Sequence, residues 1–211
     1  MLVSATSVGA ETLAGDDFLK SLEGTYIELF SPQTCLGAEY DDLWRSEAAK
    51  YVGEDMAGDA VSQLVGACTG SVVGDDAVAA YAESGTPRFC CSFTHDVTKV
   101  SFDGNRISGV DVQGSEVFGH NYHFVGNDAD GNYIFESDDD NADEFRYFWM
   151  RPDSPVATYH IEFRYGSDAE QLTQLMSGKY AFWMASGVRE GHTDEYRNSI
   201  ILFIGENLGR E

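Results

Sequence analysis

Two hydrophobic periodicities divide the chain. Over residues 38–84, apolar residues such as Trp44, Ala48 and Tyr51 recur at intervals of three and four, which is the spacing of one helix face. We therefore predict a helical insert over 38–84. From residue 87 onward, apolar and polar residues alternate, and this alternation is typical of strands with one buried face.

Short turn signals interrupt the alternating region. Asp103-Gly104-Asn105 and Asp130-Gly131-Asn132 each separate two strand-like runs, as in tight hairpins. Residues 128–132 also have oxygen-bearing side chains at alternate positions, as a calcium loop does, but the distal glutamate and flanking helices of that motif are missing. We interpret both segments as turns. Six or so consecutive strands then favour an antiparallel barrel or sandwich.

The ends of the chain carry different signals. Residues 1–17 are polar and are predicted to form a flexible N-terminal segment, with residues 18–211 as one domain. Ser167-Asp168-Ala169-Glu170 has the spacing of a capping box and predicts a helix directly after it. A second C-terminal helix is predicted to begin at Thr193 and to end at Gly209.

Composition and charge narrow the function classes. The 211 residues carry a net charge of -23, which repels phosphate backbones and anionic membranes and attracts cations. We expect no nucleic-acid partner. No segment approaches the roughly 20 apolar residues of a membrane helix, and residues 1–17 lack the features of a secretory signal. The four cysteines lack CxxC spacing, and their pairing is left open; they are Cys35, Cys68, Cys90 and Cys91.

One predicted strand, residues 158–165, carries the best candidate for chemistry. Its apolar residues share one face, while His160, Glu162 and Arg164 share the other. On that face His160 and Glu162 lie roughly 7 Å apart, close enough to bind one Zn²⁺ if another segment supplies a third ligand. The alternative is a row of polar side chains paired across neighbouring strands.

Other chemistry has less support. His120 and His123 are weaker candidate metal ligands, because their odd spacing places them on opposite faces of a strand. No G-x-S-x-G elbow, phosphate loop or dinucleotide fingerprint occurs, so we predict that the protein is not an enzyme. A metal-assisted hydrolase would also need a general base that the sequence does not reveal.

Several segments together resemble the ZinT family of zinc-binding, lipocalin-like proteins. The resemblance spans roughly residues 18–36 and 87–186 at low identity, and it is carried by segments 22–26, 133–136, 145–148, 158–168 and 179–183. It implies a mainly β fold with α-helices: a lipocalin-like (calycin-type) antiparallel β-barrel with a helical insert and flanking C-terminal helices. It also implies an extracytoplasmic protein that buffers or delivers zinc, with a metal-transport component as a possible partner.

The family motif places a lone histidine ahead of a His-x-His pair on one strand. His160 matches the first histidine of the pair, Glu162 replaces the second, and Arg151 falls where the lone histidine is expected. Arginine stays protonated and cannot bind a metal. Ser137 replaces a family cysteine, so the family's disulfide is expected to be absent.

Two hypotheses follow from this comparison. In the first, His160 and Glu162 bind Zn²⁺ or a similar divalent cation with a third ligand that the sequence does not assign. In the second, the metal site has degenerated, and Arg151 and Arg164 join the pair in a polar pocket for a small anionic ligand or a partner protein's acidic group.

Overall fold

The structure is a computed structural model that describes residues 14–69, 74–84, 91–93, 96–152, 160–176 and 184–209. These residues form eight β-strands and six α-helices. The strands are β1 (Gly24–Glu28), β2 (Lys99–Asp103), β3 (Arg106–Val110), β4 (Glu116–Asn127), β5 (Tyr133–Ser137), β6 (Tyr147–Met150), β7 (His160–Gly166) and β8 (Ala185–Arg189). The helices are α1 (Gly15–Ser21), α2 (Asp41–Val52), α3 (Glu54–Cys68), α4 (Gly74–Ser84), α5 (Ala169–Met176) and α6 (Asp194–Leu208).

The strands close into one antiparallel barrel. Each strand pairs with the next along the chain, and β8 pairs with β1. The predicted lipocalin-like, mainly β fold is thereby confirmed, with α2, α3 and α4 inside the predicted insert and α5 and α6 near the C-terminus. Within the described part of the chain, no helix is long and apolar enough to cross a membrane.

Both predicted hairpins are present. Asp103 pairs with Arg106 across the β2–β3 turn. In the β4–β5 turn, one carboxylate oxygen of Asp128 accepts hydrogen bonds from the backbone amides of Asp130 and Asn132, at 3.0 and 2.9 Å. Because backbone donors satisfy this carboxylate, the turn needs no bound cation to hold its shape.

The structure corrects two predicted boundaries and does not test a third. Residues 15–17 begin helix α1 and are not a flexible segment, because Phe18 and Leu19 in the same helix are buried in the core; residues 1–13 lie outside the described range. Strand β7 begins at His160, and the predicted strand residues 158 and 159 are also outside that range. Helix α5 is capped by Asp168, which accepts two backbone hydrogen bonds, and not through a box beginning at Ser167.

Aromatic side chains fill the inside of the barrel. Phe148 lies at its centre, where its ring packs against four others: Phe118, Tyr122, Phe163 and Tyr165. At one end, α1 inserts Phe18, whose ring stacks on Tyr133 with 3.9 Å between ring centroids. The described interior of the barrel is therefore a packed core, and the cavity of the candidate site lies on the outer face of β7.

A second apolar cluster lies between the barrel and the helices. It joins Trp44 of α2 and Ile200 and Ile204 of α6 to Val188 of β8. This packing holds α6 against the outer face of the barrel. The position of α6 matters for the candidate site, because that helix forms one of the site's walls.

Candidate functional site

Strand β7 separates its side chains as the alternation predicts. Ile161, Phe163 and Tyr165 point into the barrel and are buried. His160 and Glu162 lie on the outer face and line a cavity of about 260 Å³. The strand's β pairing fixes which residues face each other, since Glu162 lies opposite Ser186 of β8.

The cavity is formed by several separate segments. Its polar lining comes from the residue after β6, from β7, from β8 and from α6; these side chains are Arg151, His160, Glu162, Ser186, Ser199 and Glu206. Apolar side chains around Phe30 and Phe203, together with the thiol-bearing residue Cys91, complete the wall. An imidazole and two carboxylates thus line one small space.

Arg151 and Glu162 form an ion pair in this cavity. The Arg151 Nε atom lies 3.2 Å from Glu162 Oε2, and the two side chains are 33% and 22% exposed. The backbone fixes the pairing as well, because the amide of Arg151 donates to the carbonyl of Glu162 at 3.1 Å. At the position where the resemblance expects a histidine, a fixed positive charge therefore lies beside one of the two proposed ligands.

Arg164 lies elsewhere. It is buried, and its Nη1 atom donates to the carbonyl of Leu175 in α5 at 2.9 Å. This bond connects β7 to α5, and Arg164 is not among the described residues that line the cavity. The structure thus brings Arg151, His160 and Glu162 to one cavity, whereas Arg164 donates a hydrogen bond to α5.

The two other candidate histidines belong to β4. His120 Nδ1 lies 3.1 Å from Asp139, and His123 Nδ1 lies 2.7 Å from Asp138. Both aspartates come from the acidic loop that follows β5. These pairs form two separate surface contacts, and neither histidine is among the described residues lining the cavity of His160.

The sequence did not predict that Glu206 and Cys91 line the same cavity as His160. Glu206 shares a helix face with Ser199, Leu202 and Phe203, at the spacing that brings residues of a helix to one side. That spacing is visible in the sequence, but nothing in it indicates that this face of α6 meets β7. Among the described residues, no three His, Cys, Asp or Glu side chains converge closely enough to hold a metal ion.

A second and larger cavity lies at the end of β1. It has a volume of about 780 Å³ and is bounded by the loop after β1 and by the turn after β3. Glu28 contributes a carboxyl group there, and burial raises its pKa to about 7, partly offset by a hydrogen bond from Ser92. The sequence pattern gave no sign of this group.

Comparison with known proteins finds similarity in structure and none in sequence. No protein-family model matches the sequence, and no curated protein matches it either. The Zn(II)-bound ZinT-like domain of Streptococcus pneumoniae AdcA superposes with a TM-score of 0.55 and 14% identity, covering 95% of this chain and 94% of that domain. This chain has a ZinT-like fold. Zn(II)-bound AdcA from the same organism matches with a TM-score of 0.52 and 13% identity, over 88% of this chain and 35% of AdcA.

The ZinT-like likeness covers nearly the whole chain, including the helical insert. At 14% identity it concerns the fold, and it does not transfer ligands from one protein to the other. What the ZinT-like barrel of this chain binds must be argued from its own cavity.

Proposed function

We propose that this ZinT-like protein binds a divalent cation, with Zn²⁺ as the first candidate, and that it carries the ion without chemical turnover. The observation that supports this most is the cavity that holds His160, Glu162 and Glu206 around one space of about 260 Å³. Imidazole nitrogen and carboxylate oxygen are both zinc ligands. The similar solved structures are described as Zn(II)-bound.

The donor set fits a cation only in part. The guanidinium of Arg151 lies against Glu162, and the described side chains do not form a converged group of three ligands. A cation at this place therefore competes with Arg151 for the Glu162 carboxylate. We propose Glu206 as the third ligand, since it faces the same cavity from α6 and adds a second carboxylate.

The charge of the cavity favours a cation over an anion. Among the described residues that line it, two carboxylates outnumber one guanidinium, and the chain as a whole carries a net charge of -23. The ion pair with Glu162 already neutralises Arg151, the residue that an anionic ligand would need. The alternative of a small anionic ligand or an acidic group of a partner is therefore an outcome of the test below.

We further propose that the protein works outside the cytoplasm, where it buffers the cation or delivers it to a metal-transport component. This proposal rests on the ZinT-like fold, because the similar domain is part of AdcA. If the protein does not bind a cation, this proposal is wrong as well.

Equilibrium binding of Zn²⁺ to metal-stripped protein tests the site. We expect wild type to bind one equivalent, and His160→Ala, Glu162→Gln and Glu206→Gln to lose it. Arg151→Gln removes the competing charge and is expected to tighten binding about tenfold, and Arg151→His is expected to tighten it further by adding a ligand.

His120→Ala and His123→Ala are the matched controls, because each removes a histidine from β4 and leaves the cavity intact. Both are expected to bind as wild type does. Sub-stoichiometric Zn²⁺ in wild type and in Arg151→Gln, together with saturable binding of phosphate or acetate that Arg151→Gln abolishes, would instead establish the anion site.

A further inference from the structure

Two cysteines meet between the helical insert and the barrel. Cys68 is the last residue of α3, and Cys91 lies before β2, with residues 69–90 between them. The two side chains are 0% and 2% exposed and belong to the cluster between the helices and the barrel. Both are free thiols in this structure.

Their backbones are in direct contact. The amide of Cys91 donates to the carbonyl of Cys68 at 2.6 Å. Standard bond lengths then limit the separation of the two Cα atoms to about 6.5 Å. Disulfides span Cα separations of about 4.4–6.8 Å. The side chains also lie near each other, since Cys68 is the largest cause of the raised pKa of the Cys91 thiol. The Sγ atom of Cys68 itself donates to the carbonyl of Val65 at 3.5 Å.

A third thiol of the same cluster is directed elsewhere. Cys35 is buried nearby, but its Sγ atom donates to the carbonyl of Leu29 at 2.8 Å. That carbonyl also accepts a hydrogen bond from the amide of Cys35, so a local loop fixes the side chain. Because the backbone of Cys91 is hydrogen-bonded to that of Cys68, Cys68 is the better partner for Cys91.

We propose that Cys68 and Cys91 form a disulfide bond as the protein folds under oxidising conditions. The two thiols lose two protons and two electrons as the S–S bond forms. A small-molecule disulfide such as oxidised glutathione accepts both electrons and, with two protons, becomes two thiols. The reaction passes through a mixed disulfide of one cysteine with glutathione, which the thiolate of the other cysteine then displaces.

The timing follows from burial. In the folded barrel the hydrogen bond to Cys68 and the lack of solvent hold the pKa of Cys91 well above that of an ordinary thiol. The reactive thiolate is therefore scarce once the protein has folded, so the bond forms while the chain is still open. After folding, the same burial shields the bond from external reductants.

The bond would tie the end of α3 to the segment that leads into β2. Cys91 also lines the cavity of His160 and Glu162, so the cross-link fixes one wall of that cavity. The inference does not depend on cation binding, and it stands whether or not the proposed function does.

Refolding from denaturant tests the proposal. Reduced, unfolded protein is refolded with a mixture of oxidised and reduced glutathione, or with reduced glutathione alone. Under oxidising conditions we expect two of the four thiols to disappear and the mass to fall by two hydrogen atoms. Proteolysis without reductant should yield one linked pair of peptides, and fragmentation should assign it to Cys68 and Cys91, distinguishing Cys91 from Cys90.

Thermal unfolding supplies a second measurement. The oxidised protein should melt about 6–12 °C higher than the reduced protein, because the bond closes a loop of more than 20 residues. Cys35→Ser and Cys90→Ser are the matched controls and should keep this difference, whereas Cys68→Ser should lose it.

Four retained thiols, or a link through Cys35 or Cys90, would overturn the proposal. So would a melting difference that persists in Cys68→Ser. Peptide mapping needs only wild type, so it decides the question even if Cys68→Ser does not fold.

Discussion

At the scale of single residues, Glu28 shows how the fold changes an ordinary carboxyl group. It ends β1 beside the larger cavity, where burial raises its pKa from 4.5 to about 7. Its hydrogen bond with Ser92 acts in the opposite direction and is the smaller effect. A group with a raised carboxyl pKa binds its proton more tightly in the folded state than in the unfolded state.

The pH dependence follows with a definite sign. Between pH 4.5 and about 7 the unfolded chain has released this proton while the folded protein still holds it, so Glu28 lowers stability as the pH rises through that window. The loss amounts to about 1–3 kcal/mol, after allowance for partial exposure to solvent. Glu28→Gln should not show this loss. Its free energy of unfolding should therefore be higher at pH 8, relative to its value at pH 4.5, than that of wild type.

Urea unfolding of both proteins at the two pH values measures this effect. Glu116→Gln is the control, since Glu116 is an exposed residue paired with Arg106, and it should leave the pH dependence unchanged. Parallel stability curves for wild type and Glu28→Gln would show that Glu28 is not the titrating group.

At the scale of secondary-structure elements, β8 decides whether the barrel closes. It pairs with both β7 and β1, and Gly187 lies at its centre, opposite Ile161 on one side and Glu28 on the other. A Cβ atom at Gly187 would overlap the ring of Phe93 and lie 3.1 Å from the carbonyl of Ile27. The strand therefore needs a residue without a side chain at this point.

Gly187→Ala is expected to destabilise the protein by about 1–3 kcal/mol, because the carbonyl of Ile27 belongs to the barrel backbone and cannot move aside. Denaturant unfolding measures the change. Gly58→Ala is the matched control: Gly58 lies inside α3 with open space around it, so alanine there should stabilise by about 0.5–1 kcal/mol. Equal effects of the two substitutions would contradict this account of β8.

At the scale of the whole molecule, the aromatic filling distinguishes this barrel from one with a hollow interior. Phe148 contacts rings from β4 and β7, and the Phe118 ring in turn stacks on Phe145 with 4.1 Å between centroids. The described interior thus holds the strands together, and the proposed binding site lies on the outer face of β7. The side chains of β7 that stabilise the fold and those of the proposed binding site lie on opposite faces of the strand.

Phe148→Ala should therefore cost about 3–5 kcal/mol, since the side chain is fully buried and its neighbours are held by the closed sheet. The change should appear in denaturant unfolding, while Zn²⁺ affinity of the folded protein should change little. Val112→Ala is the control. Because Val112 is 76% exposed, this variant should have a free energy of unfolding within about 0.5 kcal/mol of wild type. A loss below 1 kcal/mol for Phe148→Ala would argue against a close-packed interior.

Local patterns in the sequence determined most of the elements of this protein. Alternation along β7 assigned Ile161 and Phe163 to the core and His160 to the opposite face, because side chains in a strand alternate whatever the rest of the fold does. Turn residues located the hairpins for the same local reason. The sequence did not predict strand β8, because its small residues show no clear hydrophobic alternation. Residues 185–189 form a strand because they pair with β1 on one side and β7 on the other.

Only the tertiary structure decided what surrounds His160 and Glu162. Arg151 meets Glu162 because β6 and β7 pair in one register, and Glu206 reaches the cavity because apolar packing holds α6 against the barrel. The contact between Cys68 and Cys91 depends on the same packing of helices on the barrel. Contacts between segments far apart in the chain depend on how all the core side chains pack together, and a local sequence pattern does not encode that packing.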